Sequence, residues 1–258
     1  MPLHYARRLT GRHRSDQANR HVGLVLTFVA GATNAGAFLA VHQYTSHMTG
    51  IVSSMADHVV LGAWDVVVAT AGALLAFLAG AACSAIMVNF GRRHLLHSEY
   101  AGPLLLEAAL LLVFGLLGSQ LAQLHAYAVP ITVMLLCFTM GLQNALITKL
   151  SQAEIRTTHV TGLVTDIGIE LGKLVYWNRP SGEAAPLSPV LANRDRLALL
   201  SLLLLGFFCG GVAGAWMFKQ LGYVATVPLA ILLAILAVLP AWDDVNAWWQ
   251  RRRVSSGT

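Results

Sequence analysis

Charged side chains are what this sequence has least of: they make up 11% of its 258 residues, where a soluble domain carries roughly 25%. The hydrophobic share is 56% and the mean hydropathy +0.63. That balance excludes a water-soluble globule, because about 20 consecutive apolar residues cross a hydrocarbon core and this chain has enough for several crossings. Cysteine is also sparse. Cys83, Cys137 and Cys209 fall inside apolar runs with no CxxC spacing and no adjoining histidine. This excludes a thiol redox motif or a cysteine zinc site and leaves packing as their use. The G-x-S-x-G, H-E-x-x-H, P-loop and Rossmann fingerprints are missing too. No enzyme activity, cofactor or metal is therefore expected.

What is present is a series of six apolar segments, at 22–41, 66–90, 102–121, 128–147, 197–218 and 223–239. Each has about the length of a transmembrane helix. With the N-terminus in the cytoplasm, sixteen of the 17 Lys and Arg fall inside and Lys219 alone falls outside. The positive-inside rule then predicts six crossings, N-in and C-in. On this reading the formal charge of +5 is an orientation signal, so the bilayer is the expected partner and nucleic acid is not. Trp64, Trp177, Trp216 and Trp242 fall at or near segment ends, where indoles anchor at the headgroups.

The chain also repeats itself. Gly31-Ala32-Thr33-Asn34-Ala35 matches Gly141-Leu142-Gln143-Asn144-Ala145 at an offset of 110, and His47-Met48-Thr49-Gly50 matches His159-Val160-Thr161-Gly162 at 112. Further on, Ala76-Phe77-Leu78-Ala79-Gly80-Ala81 faces Gly206-Phe207-Phe208-Cys209-Gly210-Gly211 at 130, beyond an expected cytoplasmic loop at 178–196. Each half holds three spans, an odd number, so the second copy must enter the membrane with the opposite orientation. The sequence therefore predicts one all-α integral membrane domain, a 3+3 inverted-topology repeat with copies at about 22–121 and 128–240. The tail, 241–258, reads as an interfacial helix.

The segments 42–62 and 148–177 are too polar to span yet too apolar for ordinary loops, which points to interrupted or re-entrant elements. Thr49 or Ser46 is expected to cap one short helix, and Thr161 a second over 162–176. Inverted copies would bring both helix N-termini toward the midplane, where their N–H groups suit an anion or a carboxylate. The candidate solute-binding residues are Asn34, His47, Thr49, Gly50, Asn144, His159, Thr161 and Gly162. The two asparagines could bind solute or hydrogen-bond a neighbouring helix; the two histidines could donate to solute or relay protons.

The run Gly31-x-x-Asn34-Ala35-x-x-Phe38-Leu39, followed by His47-Met48-Thr49-Gly50 and Leu61-Gly62, resembles the signature of the YoaK family of small bacterial multi-pass membrane proteins. Thr157-Thr158-x-x-Thr161-Gly162 resembles its second signature. Where that family usually has an acid this chain has Asn34, and where it usually has an asparagine this chain has Ile51. The resemblance implies a polytopic protein of the bacterial cytoplasmic (inner) membrane and no particular activity.

Two acids inside or beside the spans, Glu107 and Asp166, are the candidates for proton coupling. Asp166 and Glu170 share a helical face with Lys173 near by. Small-residue faces at Gly72, Ala76 and Gly80 and at Gly206, Gly210 and Gly214 predict close helix crossings, either with each other or symmetrically, with a homodimer seam as the competing use. Leu203 is expected to face lipid. Together these readings predict a secondary transporter or facilitator of a small polar or anionic solute, with a non-transporting scaffold, assembly factor or intramembrane enzyme as the alternative.

Overall fold

The computed structural model describes residues 16–94, 96, 98–120, 128–151, 157–177 and 189–238. The tail at 241–258 and residues 178–188 of the expected cytoplasmic loop lie outside them. The described residues are almost entirely helical: α1 (Asp16–Val41), α2 (Met48–Leu61), α3 (Trp64–Arg93), α4 (Ala101–Gln120), α5 (Ala128–Leu150), α6 (Val160–Val175) and α7 (Arg194–Leu221). A 3-10 turn, Gly222–Ala225, leads into a last helix, α8, at 226–238.

Among the described residues, five helical stretches are long and apolar enough to cross a membrane, the last of them Arg194–Val238. Its 45 residues would measure about 67 Å as one straight helix, against a hydrocarbon core of about 30 Å. It is not continuous. Gly222 sits at φ 59, a conformation that breaks the α-helical ladder and that glycine adopts without penalty. The turn then lies across the end of α4. The Tyr223 ring takes the space a Cβ on Gly118 would need, and the Thr226 hydroxyl does the same at Gly115.

The short helices differ in kind from the long ones. Helix α2 has 14 residues and α6 has 16, or about 21 and 24 Å of rise, too little to cross. Helix α3 carries Val68, Leu75, Leu78 and Ile86 outward, each more than half exposed. Water does not tolerate such a face, but lipid does.

The helices pack in equivalent pairs. Helix α1 lies chiefly against α7 and α5 against α3, while α2 rests on α3 as α6 rests on α7. Glycine makes these crossings close. A Cβ on Gly210 would collide with the carbonyl oxygen of Phe28, and one on Gly80 with that of Phe138; Phe28 and Phe138 are 110 apart, like the asparagines. Gly31 and Gly141 return the contact, each against the carbonyl oxygen of a phenylalanine, Phe207 and Phe77. The small-residue faces of α3 and α7 thus pack symmetrically, on α5 and α1, and not on each other. Gly80, Gly210 and Gly214 are buried inside the chain, which takes them away from a homodimer seam. One expectation is corrected here. Leu203 is fully buried in the main core with Leu199, Leu200 and Leu233, and its neighbour Leu202 is the exposed one.

Candidate functional site

Asn34 lies on the inner face of α1, 9% exposed. Its Oδ1 accepts hydrogen bonds from the Ser46 hydroxyl at 3.0 Å and from the Ser46 backbone N–H at 3.4 Å. In the second half the Asn144 Oδ1 accepts from the Thr158 hydroxyl at 2.6 Å. Ser46 and Thr158 are repeat mates, each directly preceding a histidine. Each asparagine therefore pins the segment leading into a short helix. Its carbonyl oxygen is engaged in doing so, and the Nδ2 group, for which no partner is found among the described residues, remains as a donor.

The pinned segments begin their helices at histidine. The His47 carbonyl oxygen accepts from the Ile51 N–H, and that of His159 from the Leu163 N–H, both at 3.1 Å. His47 and His159 are thus the N-caps, with no side-chain cap bond. This corrects the expected capping by Thr49, Ser46 or Thr161. The Ser46 hydroxyl is committed to Asn34, and the threonines stand two positions into their helices, exposed. Gly50 and Gly162 follow, and a Cβ on either would strike the imidazole of its own histidine. The missing side chain lets each ring fold back over the first helical turn.

Between the two pinned elements is a cavity of about 850 Å³. Asn34, Ser46, His47 and Thr49 line it from one half, Asn144, Thr158, His159 and Thr161 from the other, and Phe77 and Phe207 form apolar walls. Six of the eight expected binding residues meet here. Gly50 and Gly162 do not line it and act through the rings they seat. Among the described residues that line it there is no Asp, Glu, Lys or Arg. The wall is rich in donors: two carboxamide N–H₂ groups, the Thr49 and Thr161 hydroxyls, the imidazoles and the N–H groups at two helix starts. Sequence reasoning misses Tyr44, Phe77 and Phe207 as lining residues, although the phenylalanines too are repeat mates.

The two acids stand elsewhere. Glu107 on α4 is fully buried, and neither carboxyl oxygen has a hydrogen-bond partner among the described residues; it is not in the cavity wall. Asp166 pairs with Arg196 of α7 at 3.1 Å. Glu170, one turn further on, is 2% exposed, and its Oε1 accepts from the Lys173 ammonium at 2.9 Å. Its Oε2 takes the Asn193 backbone N–H at 2.8 Å. The Lys173 bond, aided by that N–H, holds the Glu170 carboxyl below the usual carboxylate range. Its repeat mate is His58, whose backbone carbonyl accepts from Ala63 N–H at 3.0 Å. The Glu170 side chain therefore does for α6 and α7, through Asn193 at the start of α7, what a tight turn does for α2 and α3.

Alanine at the two seating glycines separates the site from the fold. Gly50→Ala and Gly162→Ala are expected to keep the detergent melting temperature within about 2 °C, because only a side-chain ring must move. Histidine NMR shifts should change in the substituted half. A melting loss as large as that at a backbone crossing would show that the rings are not the groups displaced.

No curated protein and no solved structure matches this chain. The family model for proteins of unknown function, DUF1275, matches residues 22–239, which include both short helices and both asparagines. The chain therefore belongs to the DUF1275 family, of which the YoaK proteins that it resembles are members.

Proposed function

We propose that the protein is a secondary transporter or facilitator of a small anionic solute, carried through the cavity between α2 and α6. The observation that supports this most is the lining: paired neutral donors from two repeat mates, with no acidic side chain among the described lining residues to repel an anion. Helix N-termini aimed at such a cavity add positive potential without a fixed charge. An anion held by neutral donors can also leave again, which a transport site requires.

Six crossings in a 3+3 inverted repeat fit the same reading. Helices α2 and α6 are too short to span, the 3-10 turn divides the final 45-residue stretch, and α1 on α7 mirrors α5 on α3. Sites between interrupted helices of inverted copies are the transporter pattern. The inner membrane, with both termini in the cytoplasm, is the proposed location.

Uptake by purified protein in vesicles, screened over carboxylates and inorganic oxyanions with organic cations as controls, tests the function. Flux of cations alone, or of nothing, would reject it. For the topology, single cysteines at Asp57 and Leu191, in a protein lacking Cys83, Cys137 and Cys209, should react with an impermeant maleimide from opposite sides. Reaction of both from one side would overturn the inverted arrangement.

A further inference from the structure

Besides the central cavity there is a second one, of about 510 Å³, between α2, the start of α3 and the start of α5. Ser54, Val66, Ala69 and Thr70 line it, and it shares Tyr44 and His47 with the central cavity. Those two side chains therefore form the wall between the two spaces.

Tyr44 is placed there by a strained turn. His42 has φ 54, the only positive value at a non-glycine residue among the described residues. A left-handed backbone at an L-residue costs roughly 1–2 kcal/mol, and strain of this kind persists where the surrounding structure holds it. The turn folds the chain back after α1, so that the Tyr44 ring stacks on Phe38 with centroids 4.6 Å apart.

The repeat gives each lining residue a counterpart at the other end of the molecule. At offsets of 112 for the short helices and 130 for the long ones, Ser54 corresponds to Asp166, Val66 to Arg196, Ala69 to Leu199 and Thr70 to Leu200. All four counterparts are larger. Leu199 and Leu200 are 6% and 4% exposed and belong to the core, and Asp166 and Arg196 are joined at 3.1 Å. Small side chains line the space at one end; among the described residues, their counterparts at the other are two buried leucines and an ion pair.

We propose that the second cavity is an outer site through which the solute reaches the central cavity past Tyr44 and His47, and that the matching route on the opposite face is closed by Leu199, Leu200 and the Asp166–Arg196 pair. This rests on the reading of the central cavity as a solute site. The structure is then the state open to one side only, the periplasmic side in the N-in topology. Both partners of the closing pair are about half exposed, so the pair contributes little stability. A closure meant to open needs no more.

The test is made on the full chain in vesicles, with the three native cysteines replaced and a membrane-impermeant sulfonated maleimide as probe. Cysteine at Thr161, in the central cavity, should react from the face that bears the second cavity and not from the other. Ala69→Leu with Thr70→Leu, which installs the counterpart side chains, should abolish that reaction; Ser54→Trp is the second variant should the pair fail to fold. The set Asp166→Ser, Arg196→Val and Leu200→Thr should open reaction from the opposite face. Equal reaction from both faces of the parent, reaction from the opposite face alone, or indifference to Ala69→Leu with Thr70→Leu and to Ser54→Trp would overturn the inference. Labelling needs no solute, so two-sided labelling of a protein that still carries anions would reject this route alone, whereas one-sided labelling without anion flux would reject the transport reading alone.

Discussion

Gly210→Leu is expected to be among the most damaging single substitutions in this protein, lowering its melting temperature in detergent by roughly 6–12 °C or preventing folding. Even a Cβ at Gly210 would collide with the Phe28 carbonyl oxygen of α1. Backbone cannot swing aside as a side chain can, so α1 and α7 must separate along their principal contact. Overpacking of a close crossing costs about 3 kcal/mol, and for a chain of this size each kcal/mol is worth about 2–4 °C. Three comparisons sharpen the result. Gly206→Ala, where the nearest atom to the new Cβ is 3.9 Å away, should be nearly neutral. Leu203→Ala, at a fully buried position, should cost about 2–5 kcal/mol as a core cavity, while Leu202→Ala on the outer face should cost little. Gly80→Leu at the matching crossing should behave like Gly210→Leu, and a much smaller loss there would show that the two halves do not share one packing scheme.

Replacing both asparagines should have the largest effect on the site. Asn34→Ala with Asn144→Ala removes two N–H₂ donors from the cavity and also the acceptors that pin Ser46 and Thr158. A hydrogen bond to a charged ligand is worth about 1.5 kcal/mol at the low end, so losing two costs about 3 kcal/mol, more than 100-fold in affinity. Either single variant should lose less, and by similar amounts, because the two residues stand in equivalent surroundings. Binding measured by isothermal titration and flux measured in vesicles should fall together. A double variant that binds and carries its anion as the parent does would remove the asparagines from the site and leave them as helix ties only.

Much of this arrangement is legible before any folding is considered. Low charge and long apolar runs fix the membrane class, since both follow from what lipid tolerates. The recurring Gly-x-x-Asn-Ala and His-x-Thr-Gly words mark the parts of each half that meet at the cavity. Their histidines, threonines and asparagines do line one space.

Other features are fixed only by the assembled structure. A helix that faces lipid on one side and protein on the other is apolar all round, so its inner face leaves no periodic signal. That is why Leu203, one residue from the exposed Leu202, reads as outward in the sequence and is buried in the fold. The caps shift from Thr49 and Thr161 to His47 and His159 because a hydroxyl from the preceding residue is claimed by an asparagine twelve or fourteen positions back, a competition local rules do not include. Glu107 is conspicuous in the sequence, yet it is enclosed away from the cavity, whereas Glu170 beside Lys173 gains its role from the Asn193 N–H, 23 residues further along the chain. The sequence determines which residues are paired by the repeat, because the pairing is written in residue order. Which of them touch, and which leave space, is decided by side-chain volume at the helix crossings once the two halves are packed together.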